Sequence, residues 1–387
     1  MRILWYSATP ECDSGYGNAT RNMVRWLRRQ GHFVAVATKH AMTIPYRKWE
    51  DDIIVLDGTN LDVLNSGVIA AWDIDACITF FDIWIWAKQK TQLDRHIASW
   101  IPVDTENINE RIVKVVKDVP VKIAMSKHGE RELRNAGFEP MYAPIGFDPE
   151  VFYPKPDAGR AFRESLVFQD PIDADDMFLI GSVGINYQGD RKGFIVLMQA
   201  FKKFHEQHDN ARLFLHTTAN KQRDGINYAA LAMDLGIGEW VAWPHQERLW
   251  YGLYSEEILS EIYSGFDVFC LPTRGEGFGM PVIEAQACGV PVIVTNNTSG
   301  SQLCKTGWLV DTGWDDLEYL GSNVWRKSPR PGKVLECLEK AYEAIPDGDH
   351  FRVPISEQVA EYRWENVWAN YWQPIIDKIE TLVNNGG

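Results

Sequence analysis

Residues 274 to 294, RGEGFGMPVIEAQACGVPVIV, set two carboxylates eight positions apart, Glu276 in a glycine-rich turn and Glu284 in the apolar segment that follows. The preceding strand is predicted to end near Pro272, Gly275, Gly277 and Gly279 permit a tight backbone, and Pro281 sits where a first helical position favours proline. Gly289 stops that helix and Pro291 prevents its continuation. A strand, a glycine-rich turn and a helix in this order aim free N–H groups and the positive end of the helix dipole at the carboxyl edge of a parallel sheet, a ready place for phosphate. Carboxylates repel phosphate, so Glu276 and Glu284 need a different partner, and sugar hydroxyls supply one. Glu284, in the first turn of the helix, is placed to hold a ribose diol, and Glu276, in the turn itself, to lie nearer a reacting sugar. From the residues alone the alternative stays open that Glu284 merely complements the helix dipole and Glu276 is a solvated loop residue.

Other groups capable of chemistry are scattered along the chain. SGYGNATRN carries Gly15 and Gly17 at the spacing of a dinucleotide fingerprint, but Thr20 stands at the third glycine and the second strand ends in Lys39 and His40 rather than an acid, which argues against a dehydrogenase. Asp82 and Asp104 each follow an apolar run, where open α/β sheets place their ligands, so either acid is a candidate to orient an acceptor hydroxyl. His216 ends a run in the same way and reads equally as a structural histidine. Asp73 and Asp75 have an Asp-x-Asp spacing but precede a strand, so they read as a solvated turn and no obligatory metal is expected. Six cysteines without a Cys-x-x-Cys pair indicate buried free thiols rather than disulfides or zinc. Arg21, Arg25, Arg28 and Arg29 share one face of the first long helix, a solvated face or a weak peripheral contact with an anionic membrane.

These groups need elements to hold them, and the chain provides a repeated rhythm of apolar runs and amphipathic segments. RILWYSA, a helix near 18 to 30 and HFVAVAT begin a βαβ series that continues through strands at 52 to 57, 76 to 81, 98 to 103 and 121 to 126. The Pro- and Gly-rich stretch 139 to 159 reads as the exit from a first domain, and the pattern restarts at MFLIGSVG, residues 177 to 184. A helix near 193 to 208, a strand at 211 to 217, a helix near 227 to 235 and a strand at 267 to 272 lead to the glutamate turn, with a loose stretch near 311 to 332 beyond it. At 387 residues, two doubly wound domains are expected: 1 to 160, then 161 to 360, with 361 to 387 as a terminal helix bearing Trp364, Trp368 and Trp372. With 39 basic against 53 acidic residues the formal charge of −14 opposes a nucleic-acid partner. No run approaches the roughly 20 apolar residues of a membrane span, and the first residues read as a strand rather than a signal peptide, so a cytoplasmic location is expected.

EGFGMPVIEAQACGVPVIVTNNTSGSQL, residues 276 to 303, resembles the Glu-x7-Glu segment of retaining glycosyltransferases of the GT-B fold, in particular glycosyltransferase family 4. GSVGINYQGDRKGFIVLMQAF is similar to that family's donor-phosphate segment, APIGFDPEVFYP to the segment closing its first domain, and YRWENVWANYW to its terminal helix. The resemblance implies two Rossmann-like domains facing across a cleft, the second holding the donor and the last helix crossing back to the first. It implies that Arg191 and Lys192 meet the donor diphosphate, Glu276 the transferred sugar and Glu284 the ribose. Gly15, Tyr16, Gly17, Asn186, Gly277, Phe278, Gly279 and Met280 complete the implied donor-binding set. Two departures stand out: Gly184, Ile185 and Asn186 occupy the place where the family usually has an arginine, and Ser301 and Gln302 the place of a frequent glutamate. Phosphate binding then rests more heavily on Arg191 and Lys192.

The reaction so implied moves a hexose from a UDP- or GDP-sugar to a hydroxyl acceptor, a glycan or glycoconjugate, with retention at the anomeric carbon and no obligatory cofactor. The departing phosphate oxygen takes the acceptor proton, which fits the lack of an evident general base. A nucleotide-sugar epimerase on the same fold and a non-catalytic sugar-nucleotide-binding protein are the alternatives.

Overall fold

The computed structural model describes residues 1–12, 14–39, 42–82, 91–108, 110–187, 189–221, 225–320, 324–345 and 349–386, and it divides the chain into two compact units, Met1–Gly146 with Glu365–Gly387, and Phe147–Trp364.

In the first unit, Arg2–Ser7 (β1) leads through a turn to the helix Gly15–Arg29 (α1) and on to Phe33–Thr38 (β2). Consecutive buried residues in both strands mark a sheet covered on both faces. Ser14 caps α1 by accepting the Gly17 N–H. Gly17 lies so close to the preceding turn that a Cβ would come within 1.9 Å of the Cys12 carbonyl oxygen, so this glycine allows backbone contact rather than a special dihedral. The sheet continues with Tyr46–Lys48 (β3), Ile54–Asp57 (β4), Ala76–Phe80 (β5), His96–Ile101 (β6), Val121–Ala124 (β7) and Met141–Tyr142 (β8). Among the described residues the strand order is β3-β4-β2-β1-β5-β6-β7-β8, parallel except for β3 against β4. The order reverses between β1 and β5, and both strands deliver their carboxyl ends to that switch point.

The C-terminal segment packs onto this same unit through tryptophans. Trp372 contacts Trp5 and Trp100, with ring centroids 6.1 and 4.9 Å away, and Trp368 stacks on Trp26 at 5.6 Å. Trp368–Trp372 forms a π-helical turn before the helix Gln373–Gly386, and Trp364 is the last residue of the second unit.

In the second unit the parallel strands are Phe178–Val183 (β9), Ala211–His216 (β10), Val241–Ala242 (β11), Val268–Leu271 (β12), Val292–Thr295 (β13) and Gly307–Val310 (β14). Their order, β11-β10-β9-β12-β13-β14, is that of a Rossmann sheet, with its switch point between β9 and β12. Helix Phe194–His205 (α2) buries Phe194, Leu197, Phe201 and Phe204 against the sheet. The stretch 311–332, read as loose from sequence, contains an antiparallel hairpin of Leu317–Leu320 (β15) and Val324–Lys327 (β16) with Tyr319 opposite Trp325. Its polar, aromatic-containing sequence is too short to show a period, and the cross-strand ring pair at 5.1 Å helps to hold the strands together.

The Phe266 ring, just before β12, packs over Gly181 of β9 because that residue has no side chain: a Cβ there would lie 2.2 Å from the ring. Gly181→Ala is therefore expected to lower unfolding stability by about 1–3 kcal/mol through overpacking. Gly332→Ala, where a Cβ meets nothing within 4 Å, is the control and is expected to leave stability unchanged or slightly raised in urea melts.

Candidate active site

Two turns meet at the switch point of the second sheet. The turn after β9 runs through Asp190, Arg191, Lys192 and Gly193, and the turn after β12 through Thr273 to Gly279. Gly193 is left-handed (φ 77°), and a Cβ on it would reach to 1.9 Å from the Pro272 carbonyl oxygen, so only glycine lets the two turns touch. Hydrogen bonds join them: the Arg274 N–H and the Thr273 hydroxyl donate to the Arg191 carbonyl at 2.9 and 3.1 Å, Arg191 Nη1 donates to the Gly275 carbonyl at 2.7 Å, and Lys192 Nζ donates to Glu276 Oε1 at 2.7 Å.

Glu276 thus sits at the centre of a buried charge cluster. Its Oε1 also accepts from the Thr273 hydroxyl at 3.0 Å and lies 3.4 Å from Arg191 Nη1. Its backbone N–H donates to Thr298 Oγ1 at 3.1 Å, and its carbonyl accepts from Ser299 at 3.3 Å. Burial alone pushes its carboxyl pKa upward, but Lys192 and Arg191 overcome that and hold it at about 2. Asp190 anchors the basic turn from the other side, accepting from the Ile195 N–H at the start of α2 and from the Tyr228 hydroxyl.

Glu284 lies in the opposite electrostatic setting. Helix Met280–Ala287 (α3) begins after Gly279, left-handed at φ 106°, which places Glu284 in the second helical turn and not the first. The first-turn expectation fails because the helix starts at Met280, with Pro281 as its second residue. Glu284 is 5% exposed, and its Oε2 accepts from the Tyr263 hydroxyl at 2.9 Å. Burial raises its pKa to about 8, Glu256 adds to the rise, and Tyr263 and the more distant Lys192 only partly oppose it. Two glutamates eight residues apart therefore have their pKa values shifted in opposite directions.

Of the remaining donor candidates, Gly277 and Met280 are half-buried and Phe278 is buried, and Ser299 donates to the Phe278 carbonyl. Asn186 closes a loop: its Nδ2 donates to the Ile226 and Thr218 carbonyls at 2.6 and 3.0 Å and its Oδ1 accepts the Ile226 N–H at 2.8 Å. Gln302 meets the Tyr362 hydroxyl at 3.4 Å. His216 is buried at the end of β10, and burial brings its pKa down to about 4, so it is a neutral imidazole.

The switch point of the first unit gathers Gly15, Tyr16 and Gly17 at the start of α1, with the Tyr16 hydroxyl donating to Asp82 Oδ1 at 2.9 Å. Lys39, just past β2, holds its Nζ 3.9 Å from the Phe81 ring, and burial lowers its pKa to about 8 against the opposing pull of Asp82. Asp104 is half-buried three residues beyond β6, and His40 lies outside the described residues. In the arginine face of α1, Arg25 forms a two-pronged pair with Glu50, Arg21 donates to the Pro10 carbonyl and Arg28 to the His32 carbonyl.

Sequence reasoning missed Thr273, Tyr263, Asp190 and Lys39. Asp190 directly precedes the Arg–Lys pair, which is a usable signal for a turn anchor, whereas Tyr263 lies 21 residues before Glu284 and carries none. No helix among the described residues is long and apolar enough to cross a membrane, and no group of three or more metal-ligating side chains occurs among them.

The two glutamates should show opposite stability linkage. The unfolded carboxyl titrates near 4.5, so Glu284 with its raised pKa favours the folded state when protonated and costs stability as pH rises from about 4.5 to about 8. Glu276, depressed to about 2, stabilises the fold above about 4.5 and loses that contribution as pH falls towards 2. Glu284→Gln should therefore flatten the decline in melting temperature between pH 5 and 8, and Glu276→Gln should lower melting temperature at pH 7. At about 1.4 kcal/mol per pKa unit, thermal melts across pH resolve both effects.

Residues 178–319 match a family model described as glycosyl transferases group 1. Mannosylfructose-phosphate synthase of Agrobacterium fabrum is 29% identical over 164 residues, 39% of this chain and 31% of that protein. D-inositol 3-phosphate glycosyltransferase of Mycobacteroides abscessus is 42% identical over 151 residues, 37% of this chain and 32% of that protein. The chain thus spans about a third of the length of these curated relatives. Among solved structures, sucrose-phosphate synthase from Thermosynechococcus elongatus superimposes with a TM-score of 0.73 at 19% identity, covering 98% of this chain and all (100%) of that one. Anabaena HepE in complex with UDP and glucose superimposes with a TM-score of 0.70 at 13% identity, covering 99% of this chain and 100% of that one. The matched segment contains both turns of the site and is similar to glycosyl transferases group 1, and the chain as a whole has the GT-B fold of the solved structures on which it superimposes.

Proposed function

We propose that the protein transfers a hexose from a UDP- or GDP-sugar to a hydroxyl acceptor, a glycan or glycoconjugate, with retention at the anomeric carbon. The observation that carries this reading is the buried pairing of Lys192 and Arg191 with Glu276 at the switch point of the second sheet. Two cations and a helix start fit a diphosphate, and a carboxylate beside them fits the hydroxyls of the sugar it bears. Glu284, with Oε2 held by Tyr263, offers its other oxygen to the ribose diol. The switch point of the first unit, with Asp82 and, beyond β6, Asp104, is the proposed acceptor side, and Gly15, Tyr16 and Gly17 remain in the proposed donor-binding set.

In this reaction the bond from the anomeric carbon to the diphosphate oxygen breaks and a new bond to the acceptor oxygen forms on the same face. The departing phosphate oxygen takes the acceptor proton. Lys192 and Arg191 stabilise the charge that develops on the leaving group, so the chain needs no separate general base and no metal at this point. Mannosylfructose-phosphate synthase and D-inositol 3-phosphate glycosyltransferase carry a phosphorylated sugar and a phosphorylated polyol in their names, and both kinds of compound belong in the acceptor panel.

Release of UDP or GDP from a panel of nucleotide sugars, with and without acceptors, tests the proposal. Wild type is expected to turn over one donor in an acceptor-dependent way, and Lys192→Ala to lose about 10²–10³-fold in kcat, the usual cost of removing one leaving-group stabiliser. The NMR coupling of the anomeric proton should show the donor configuration in the product. Inversion would contradict the mechanism, and a converted nucleotide sugar without acceptor would identify an epimerase instead.

A further inference from the structure

In the free protein the groups that would meet the donor neutralise one another. Lys192 Nζ lies 2.7 Å from Glu276 Oε1 and Arg191 Nη1 lies 3.4 Å from it, and the Lys192 and Glu276 side chains are only 9% and 11% exposed. A diphosphate that takes the two cations takes them from Glu276. Resting on the proposed function, we propose that Glu276 is the built-in counter-ion of the donor site: the diphosphate displaces its carboxylate from Lys192 and Arg191, and that exchange releases Glu276 to the hydroxyls of the sugar.

The charges make the exchange necessary. Two cations left without a partner at this depth would be strongly destabilising, so the empty site needs an anion of its own. A diphosphate, with two or more negative charges, competes for both cations with a carboxylate that carries one. The exchange can be local, because the Glu276 backbone is fixed by Thr298 and Ser299 while, among the described residues, the carboxylate is held by Lys192, Arg191 and the Thr273 hydroxyl. A free sugar brings no charge to replace the carboxylate, so it cannot open the pair. Diphosphate binding must come before sugar recognition, and the released carboxylate then becomes available next to the reacting ring.

The inference separates two roles that a single loss-of-activity variant would merge. If Glu276 only contacts the sugar, removing its charge has no effect on a bare diphosphate. If it is the counter-ion, removing its charge relieves a competitor, and the diphosphate binds more tightly although transfer is lost.

Calorimetric titration of UDP, GDP and ADP into the wild type, Glu276→Gln and Glu276→Asp tests this, with Lys192→Ala as the reference for loss of the phosphate site. Glu276→Gln is expected to bind the preferred diphosphate at least about tenfold more tightly than wild type, to melt lower when free, and to gain a larger thermal shift on binding. Glu276→Asp, which keeps the charge on a shorter arm, should fall between the two and guards against a poorly folded glutamine variant. Glucose alone should bind none of them. Equal or weaker diphosphate binding by Glu276→Gln, with binding lost in Lys192→Ala, overturns the counter-ion while leaving the donor site in place. Failure of all three diphosphates to bind both wild type and Glu276→Gln overturns the proposed function, and the inference with it.

Discussion

The contact on which the site depends is the buried charge cluster of Glu276, Lys192 and Arg191. It ties the turn after β9 to the turn after β12, and no apolar contact could do the same, because the turn backbones need hydrogen-bond partners and the lysine needs an anion. Gly193 and Gly181 contribute by absence, letting one turn and one aromatic ring, that of Phe266, approach to distances that any side chain would forbid. The Rossmann order of the sheet then brings the joined turns to the point where strand order reverses, the position at which such sheets bind ligands.

A second constraint works through solvation. Glu276 and Glu284 share one short segment, yet two cations hold the pKa of the first at about 2, while burial raises that of the second to about 8 against the opposing hydrogen bond from Tyr263. The same residue type is therefore shifted in opposite directions in the turn and in the helix. In the proposed reaction the ionised Glu276 is a strong acceptor for hydroxyl groups, and Glu284, when protonated, an acceptor and donor together.

Much of this was legible in the sequence. Apolar runs separated by glycine-bearing turns and amphipathic segments marked both parallel sheets, and Pro281 and Gly289 bracketed the helix that carries Glu284. The pairing of Arg191 and Lys192 with Glu276 was not legible, because 84 residues separate the partners and only the strand order brings them together. Tyr263 and Thr273 lack any local pattern for the same reason. Short elements escaped as well: β8 and β11 have two residues each, and the β15–β16 hairpin breaks a stretch with no hydrophobic period. Asn186 stood out in sequence as a departure in the phosphate segment, while its contacts show that both ends of its amide close a loop.

The most direct measurement is a crystal structure of the protein with the nucleoside diphosphate it binds. The diphosphate oxygens should lie within hydrogen-bond distance of Lys192 Nζ and Arg191 Nη1, with the Glu276 carboxylate withdrawn from the 2.7 Å contact it makes in the free protein. A nucleotide bound elsewhere, with the Lys192–Glu276 pair intact, would contradict the assignment of this cluster as the donor site.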